Sequence, residues 1–335
     1  MKESFSSQSS NTSDAALTAE DLRGVFLPIP TPFDLAGDLD LVGLRSNINQ
    51  WNTTGIRGYV MLGSTGERVH LDEREFLEVV DVAREAVATS KERLAFIVGA
   101  GQQSTRGTIN EIKRVVGNGS VDAFLVITPS FYRPSISQAA LITYYQTVAD
   151  QSPAPIILYS MPALTGIRIE PETAARLSEH KNIIGIKDSS NDVTGLEQTV
   201  KLVQPNFAVL TGNGTVFSEA LLSGARGGIL AVGCVAPDTC LEIFAAVRKG
   251  DTTNAARLQA KLTPLATAVT VRFGIGGLKA ALDMNGYAGG TVRAPLQPPG
   301  AETLAEIRSC LETTQPPTAK APSTSGIRIG EPVTP

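Results

Sequence analysis

Short apolar runs alternate with amphipathic helical patterns from residue 24 to about residue 250 of this chain. Each run is bounded by turn residues and is apolar on both faces, as in strands buried within a parallel sheet. The pattern predicts eight strands and eight helices in strict alternation. A closed parallel (β/α)8 barrel, the TIM barrel, accounts for that count better than an open doubly wound sheet does. The predicted strands are residues 24–28, 58–62, 94–98, 123–127, 155–159, 183–187, 207–210 and 228–232.

The chain divides into four predicted parts. Residues 23–250 form the barrel, and residues 251–311 carry helical patterns without a strand pattern, which predicts a C-terminal helical extension packed on the barrel. Residues 1–22 are rich in serine and are predicted to be a flexible lead. Residues 312–335 are dense in Pro, Thr and Ser and are predicted to be a disordered tail.

Composition excludes several classes of function. The chain has 335 residues, 42% of them hydrophobic, and a formal net charge of -4, which argues against nucleic acid or acidic membranes as the main partner. No run approaches the about 18 apolar residues of a membrane span, and no targeting pattern is present, so a cytoplasmic location is expected. The three cysteines, with no C-x-x-C spacing, suggest neither a disulfide framework nor a zinc site.

Lys187 is the residue that most strongly suggests chemistry. It ends the predicted sixth strand, and the C-terminal ends of barrel strands are where active sites of this fold are built. An amine held against apolar walls loses hydration and is more easily deprotonated, so it can attack a carbonyl and form a Schiff base. The alternative is a strand-end lysine paired with Asp188 or another carboxylate.

Two further strand ends suggest a site. The turn Gly63-Ser64-Thr65-Gly66-Glu67 follows the second strand, and its backbone N–H groups and hydroxyls suit a small carboxylate. An ordinary turn between a strand and a helix is the alternative. Tyr159 ends the fifth strand, beside the strand that bears Lys187, where a phenol can move protons to and from a substrate hydroxyl.

Four motifs in order, G-S-T-G-E, T-P-S-F-Y-R-P, Y-S-M-P-A-L-T-G and I-I-G-I-K-D-S-S, resemble the dihydrodipicolinate synthase / N-acetylneuraminate lyase family of class I aldolases. The resemblance runs from about residue 24 to residue 295. Within the family the sequence looks most similar to 4-hydroxy-2-oxoglutarate aldolases. The resemblance implies a TIM barrel with C-terminal helices, a homo-oligomer (tetramer or dimer), and no metal or organic cofactor.

Roles for individual residues follow from the resemblance. Lys187 would form the Schiff base with the 2-oxo carbon of a small 2-oxo acid, and Tyr159 would take the proton from the C4 hydroxyl as the C3–C4 bond opens. Ser64 and Thr65 would hold the substrate carboxylate, and the Thr65 hydroxyl would pass protons to Tyr159.

Three further positions are implied to bind substrate. Gly212 and Ile229 match positions whose backbone lines the pyruvoyl end of the site, and Ser189 matches a position at the distal end. Discrimination between aldehydes is expected to rest on residues such as Leu164, Ser189 and Cys234.

The sequence departs from the family pattern at two positions. Many members have a tyrosine that crosses the dimer interface to complete a proton relay, and here that position is Phe131, followed by Tyr132. Dihydrodipicolinate synthases usually hold the carboxylate of aspartate semialdehyde with an arginine, and here that position is Leu164. Arg168 lies near in the sequence, without a position that can be inferred.

The predicted function is a class I aldolase that cleaves a short 4-hydroxy-2-oxo acid, such as 4-hydroxy-2-oxoglutarate or a 2-keto-3-deoxy sugar acid, to pyruvate and an aldehyde. The alternatives are a dehydratase of a 2-keto-3-deoxy sugar acid, a condensation of the dihydrodipicolinate synthase type, and a barrel without catalysis. A zinc-dependent aldolase is disfavoured because His70 and His180, both expected at the surface, are the only histidines.

Overall fold

The computed structural model describes residues 16–314, and in it eight parallel strands close into a barrel in chain order. The predicted TIM barrel is confirmed. The strands end close to their predicted bounds except for β8, which stops at Ile229 because the chain turns into a 3-10 helix at Ala231–Cys234. The strands are β1 Gly24–Pro28, β2 Gly58–Met61, β3 Ala95–Ala100, β4 Ala123–Ile127, β5 Ile156–Ser160, β6 Ile183–Asp188, β7 Ala208–Thr211 and β8 Gly227–Ile229.

A helix follows each strand, and a short extra helix lies between β5 and the helix that returns to β6. The barrel helices are α1 Leu41–Trp51, α2 Glu73–Val87, α3 Thr105–Gly117, α4 Gln138–Gln151, the short α5 Pro162–Thr165, α6 Pro171–Leu177, α7 Val193–Leu202, α8 Phe217–Leu222 and α9 Pro237–Arg248. Helix α2 begins with a reciprocal capping box, in which Asp72 and Glu75 each accept a backbone N–H from the other. Within residues 16–314 no helix has the length and apolar character needed to cross a bilayer.

The barrel interior is filled by side chains from alternate strand positions. Phe26, Ile157 and Leu210 point inward, whereas their neighbours pack against the helices. Leu17 and Leu22 belong to the same interior cluster and are buried. The last residues of the predicted flexible lead are therefore packed against the barrel; residues 1–15 lie outside the described part of the chain.

A helical extension follows the barrel, as predicted. It consists of α10 Thr252–Ala266, a π-helical turn at Thr267–Arg272, α11 Gly274–Met284 and α12 Ala301–Thr314. Helix α12 continues through residues 312–314, which the sequence assigned to the tail. Residues 315–335, the rest of that tail, lie outside the described residues.

A buried ion pair attaches the extension to the mouth of the barrel. Lys279 of α11 is 1% exposed, and its Nζ lies 2.5 Å from Oε1 of Glu67. The same ammonium donates to the Thr291 carbonyl oxygen at 2.6 Å. Oε2 of Glu67 accepts the backbone N–H of Arg293 at 3.0 Å and lies 3.1 Å from Nδ1 of His70. His70 therefore contacts a buried carboxylate, whereas the sequence predicted an ordinary surface position for it.

Phe33 and Arg293 extend this network. The Lys279 ammonium and the Arg293 guanidinium each lie 4.3 Å from the centre of the Phe33 ring. Arg293 also forms two hydrogen bonds to the Glu75 carboxylate, at 2.7 and 2.8 Å. Burial lowers the pKa of Lys279, and the adjacent Glu67 opposes that shift.

We expect Lys279→Met to destabilise the protein by about 3–5 kcal/mol, because it leaves the Glu67 carboxylate buried without its cation. Chemical denaturation followed by circular dichroism measures the loss. A double variant, Lys279→Met with Glu67→Gln, removes the uncompensated charge and should recover part of the stability.

Lys201→Met is the matched control. Lys201 pairs with Glu197 on the surface of α7, where both side chains are largely exposed, so its loss should cost less than about 1 kcal/mol. Equal destabilisation by the two single substitutions would contradict the importance of the buried pair.

Candidate active site

A cavity of about 670 Å³ opens at the C-terminal ends of the barrel strands. This size is typical of small-molecule sites. The cavity brings together residues from β2, β5, β6, β7 and β8 that are far apart in the sequence. The predicted site residues that line it are Ser64, Thr65, Tyr159, Lys187, Ser189, Gly212 and Ile229.

Lys187 lies at the centre of this cavity. It is 4% exposed and is paired in register with Tyr159 of β5. Its Nζ lies 4.3 Å from the centre of the Tyr159 ring. Within residues 16–314 Lys187 forms no ion pair, and Asp188 instead accepts the backbone N–H of Ser190 at 2.7 Å. The alternative reading, a lysine neutralised by Asp188, is therefore not what the structure contains.

The phenol of Tyr159 is hydrogen-bonded to a hydroxyl of the β2 turn. Tyr159 Oη lies 2.8 Å from Ser64 Oγ. The resemblance implied that the Thr65 hydroxyl would fill this role, but the hydroxyl against the phenol is that of Ser64. Adjacent residues of a tight turn point in different directions, so the sequence could not decide between them.

The turn that follows β2 is held in an unusual conformation. Leu62 and Glu67 both have a φ of 53°, and they are the two non-glycine residues with positive φ within residues 16–314. Such backbone costs about 1–3 kcal/mol per residue and persists where the surroundings enforce it. Here Thr31 Oγ1 donates to the Gly66 carbonyl oxygen at 2.7 Å. A side chain at Gly99 would be blocked, since a Cβ there would lie 2.2 Å from the Leu62 carbonyl oxygen.

This conformation leaves donors unused. The backbone N–H groups of Ser64 and Thr65 find no acceptor within the described part of the chain. Adjacent free N–H groups in a turn are a common binding site for an anion. The turn lines the same cavity as Lys187, and its binding of a carboxylate stays a prediction.

Gly212 keeps space open beside the lysine. A Cβ at this position would lie 1.9 Å from Ser189 Oγ and 2.6 Å from Lys187 Cε. The Ser189 Oγ is buried and has no hydrogen-bond partner among the described residues. The resemblance implied that Ser189 faces the distal end of the substrate, whereas the structure places its hydroxyl beside Lys187.

Neither Cys234, which was expected to discriminate between aldehydes, nor Arg168, whose position could not be inferred, lines the cavity. Cys234 is fully buried and does not line the cavity; its Sγ lies 3.6 Å from the Pro28 carbonyl oxygen, and burial raises the pKa of its thiol. Arg168 also lies away from the cavity wall and pairs with Asp192 at 2.7 Å. Neither residue can therefore contact a substrate held at Lys187.

Phe131 and Tyr132 also lie outside the cavity. They are 76% and 70% exposed, and their rings contact each other edge to face with centres 5.1 Å apart. The loop that carries them is anchored by Gln103, whose Oε1 accepts the backbone N–H groups of Ser130 and Phe131, each at 2.8 Å.

Sequence reasoning missed the far wall of the cavity, which comes from the C-terminal extension. Its residues are Val269, Thr270, Val271, Gly274, Ile275, Leu278 and Leu296. Part of this wall is the π-helical turn at Thr267–Arg272, a type of distortion that is frequent at functional sites. The sequence signal for this wall was weak, because apolar residues at helical spacing are also typical of ordinary helix packing.

Metal ligands are a separate question. Within residues 16–314 no group of three or more His, Cys, Asp or Glu side chains is arranged to hold a metal ion.

Comparison with known proteins places the chain in a family. The model of the dihydrodipicolinate synthetase family matches residues 21–314. The chain belongs to this family. It is therefore a member of a family of class I, pyruvate-dependent aldolase-type enzymes, in which a Schiff-base mechanism is typical.

Relatives carry a consistent name. A 4-hydroxy-tetrahydrodipicolinate synthase from Methanothrix thermoacetophila is 36% identical over 290 residues, covering 86% of this chain and 96% of that protein. Another, from Thermotoga neapolitana, is 34% identical over 304 residues, covering 86% of this chain and 97% of that protein. These names do not support the expected closeness to 4-hydroxy-2-oxoglutarate aldolases.

Solved structures agree in fold. A dihydrodipicolinate synthase from Thermotoga maritima superposes with a TM-score of 0.82 at 31% identity, covering 87% of this chain and 98% of that chain. A prophage protein of the dihydrodipicolinic acid synthase family from E. coli K12, in complex with pyruvate, superposes with a TM-score of 0.80 at 29% identity, covering 88% of this chain and 98% of that chain.

We expect Tyr159→Phe to lower the rate of pyruvate-dependent turnover by about 10²–10⁴-fold, the usual contribution of a positioned proton-transfer group. Steady-state kinetics measures the loss. Ser64→Ala removes the hydroxyl bonded to Tyr159 and should lower kcat more than Thr65→Ala does. The reverse order would restore the role that the resemblance gave to Thr65.

Proposed function

We propose that this chain binds pyruvate or a closely related 2-oxo acid as a Schiff base on Lys187, and makes or breaks a carbon–carbon bond between it and an aldehyde. The observation that carries the proposal is a buried lysine without an ion-pair partner among the described residues. It shares one cavity with a hydroxyl-bonded tyrosine and with two free backbone donors.

The chemistry follows from these groups. The amine of Lys187 attacks the 2-oxo carbon, and water leaves as the iminium forms. Loss of a proton from C3 gives an enamine, because the iminium accepts the electron pair. The enamine attacks the aldehyde carbon, Tyr159 protonates the new alkoxide, and water releases the product from the lysine. Ser64 and Thr65 hold the carboxylate throughout.

The relatives support the condensation more than the cleavage. Those reported above are named 4-hydroxy-tetrahydrodipicolinate synthase, a name for an enzyme that joins pyruvate to an aldehyde. This favours a synthase-type reaction over the cleavage of 4-hydroxy-2-oxoglutarate that the sequence predicted. A dehydratase would use the same lysine and tyrosine, and it stays an alternative.

A second candidate is the cleavage of a 4-hydroxy-2-oxo acid that carries no second charge, such as a 2-keto-3-deoxy sugar acid. The observation that favours it is Leu164, which lines the cavity where family synthases usually have an arginine for a substrate carboxylate. Direct assays of both directions decide between the candidates.

Borohydride reduction in the presence of pyruvate tests the proposal. We expect a reduced pyruvate adduct on Lys187, located by peptide mass mapping, because borohydride traps an iminium as a stable amine. Lys187→Ala should give no adduct, and Lys201→Ala, which removes an exposed lysine, should trap as the wild type does. A folded wild-type protein without an adduct would sink the proposal and favour a barrel without catalysis.

The exposed pair Phe131 and Tyr132 supports a homo-oligomer. Two large aromatic rings in contact, both more than two-thirds exposed, are typical of a surface that another subunit covers. We propose that a second copy of this chain packs against them.

A double variant, Phe131→Ala with Tyr132→Ala, should therefore shift the protein to a smaller assembly, as measured by light scattering after size-exclusion chromatography. Val42→Ala, at a residue that is 81% exposed on α1, is the control and should leave the assembly unchanged. An unchanged mass for the double variant would place the subunit contact elsewhere.

A further inference from the structure

The cavity around Lys187 has two chemically different ends. The inner end holds the lysine, Tyr159 and the free N–H groups of the β2 turn. The outer end lies between the loop after β5 and the C-terminal extension, and it is lined by Leu164, Val271, Ile275, Leu278 and Leu296. A cavity of about 670 Å³ is much larger than a three-carbon acid needs, so this outer end has room for the second substrate.

The outer end holds no cation. Among the described residues that line the cavity, Lys187 is the only charged one. The nearby Arg168 is bonded to Asp192 and does not reach the wall. A second carboxylate bound here would lose its hydration without gaining a charged partner, which disfavours dicarboxylate products and acidic aldehydes.

Polar groups near the outer end are largely committed to each other. The side-chain amide of Asn213 donates to Asn191 Oδ1, and its oxygen accepts from the N–H and hydroxyl of Thr215. The Ser190 hydroxyl accepts the backbone N–H of Asp192 at 3.3 Å. These contacts reduce, without using up, the capacity of these side chains to bind the hydroxyl groups of a sugar.

Three of the apolar side chains, in contrast, are exposed, whereas Leu278 is buried. Leu164 is 64% exposed, Val271 is 61% exposed and Leu296 is 39% exposed. These three belong to a set of ten large apolar residues that are exposed within residues 16–314, and all three line this one cavity. Exposed apolar side chains that cluster at the mouth of a cavity mark a binding surface rather than chance exposure.

We propose that the aldehyde used by this chain is uncharged and carries an apolar aliphatic or aromatic body, which packs between Leu164 and the C-terminal extension. The proposal rests on the proposed function, since it concerns the second substrate of the same site. In the bond-forming direction the enamine carbon of the Lys187 adduct attacks the aldehyde carbon. The aldehyde oxygen takes the proton from Tyr159, and the apolar body stays outside, against Val271 and Leu296.

The experiment has two steps, so that the two proposals can fail separately. Borohydride trapping with pyruvate first establishes the adduct on Lys187. Condensation of pyruvate is then measured with benzaldehyde and hexanal, with glyceraldehyde, and with glyoxylate and aspartate semialdehyde. We expect kcat/KM to be higher for the apolar aldehydes than for the two charged ones by about tenfold to a hundredfold, the usual discrimination of an apolar pocket.

Leu164→Arg supplies the missing cation. It should lower kcat/KM for benzaldehyde by about tenfold and raise it for the two charged aldehydes, while the pyruvate adduct still forms. Leu222→Arg is the matched control, because Leu222 is 54% exposed on α8 and does not line the cavity. Its kinetic constants should equal those of the wild type.

Other outcomes overturn the proposal. Higher kcat/KM for aspartate semialdehyde, glyoxylate or glyceraldehyde in the wild type, with pyruvate trapping intact, would refute the apolar aldehyde and leave the Schiff-base function standing. A change of oligomeric state in Leu164→Arg, without a change in aldehyde preference, would mean that another subunit covers the apolar residues. Absence of the pyruvate adduct would remove both proposals.

Discussion

The buried contact between Glu67 and Lys279 fixes the geometry of the whole site. Glu67 ends the turn that we propose binds the carboxylate, and Lys279 lies in the extension that forms the far wall of the cavity. A carboxylate and an ammonium in a dry interior tolerate little displacement, because each would then be buried unpaired. The contact therefore fixes the distance between the two halves of the cavity. The same pair anchors the side chain of Glu67, a residue whose backbone is left-handed.

The barrel and the extension contribute different chemistry to this cavity. Strand ends provide the groups that we propose react, because β5 and β6 are neighbours and hold Tyr159 and Lys187 in register. The π-helical turn and α11 provide apolar surface and no charge. Under the proposed function the reacting groups therefore come from the barrel, and the surface for the aldehyde comes from the extension together with Leu164 after β5. We therefore expect substitutions in the extension to change the preferred aldehyde and to leave the proposed Schiff-base chemistry in place.

Much of this could be predicted from the sequence, and what could not be has physical reasons. Strand ends of a barrel meet at one face, so Lys187 and Tyr159 could be assigned to one site from their positions alone. The choice between Ser64 and Thr65 depends on the backbone angle at Leu62, which no pattern encodes. The packing of Leu17 beneath the barrel depends on closure of the strands, since a serine-rich segment with isolated leucines resembles a flexible one.

Membership of the family says more about which amine forms the proposed Schiff base than about which aldehyde is used. Pyruvate needs only a lysine, a proton-transfer group and a carboxylate site, and all three lie within the barrel. The proposed contacts to the aldehyde come from side chains at the rim of the cavity. There a single substitution can replace an arginine, which binds a carboxylate through two hydrogen bonds, by an apolar side chain. Leu164 stands where the family pattern has that arginine. Relatives that are about one-third identical therefore support a Schiff base on the lysine more strongly than they support aspartate semialdehyde as the second substrate. Under the proposed function the chemistry at the rim, more than the similarity of the barrel, decides which aldehyde this chain accepts.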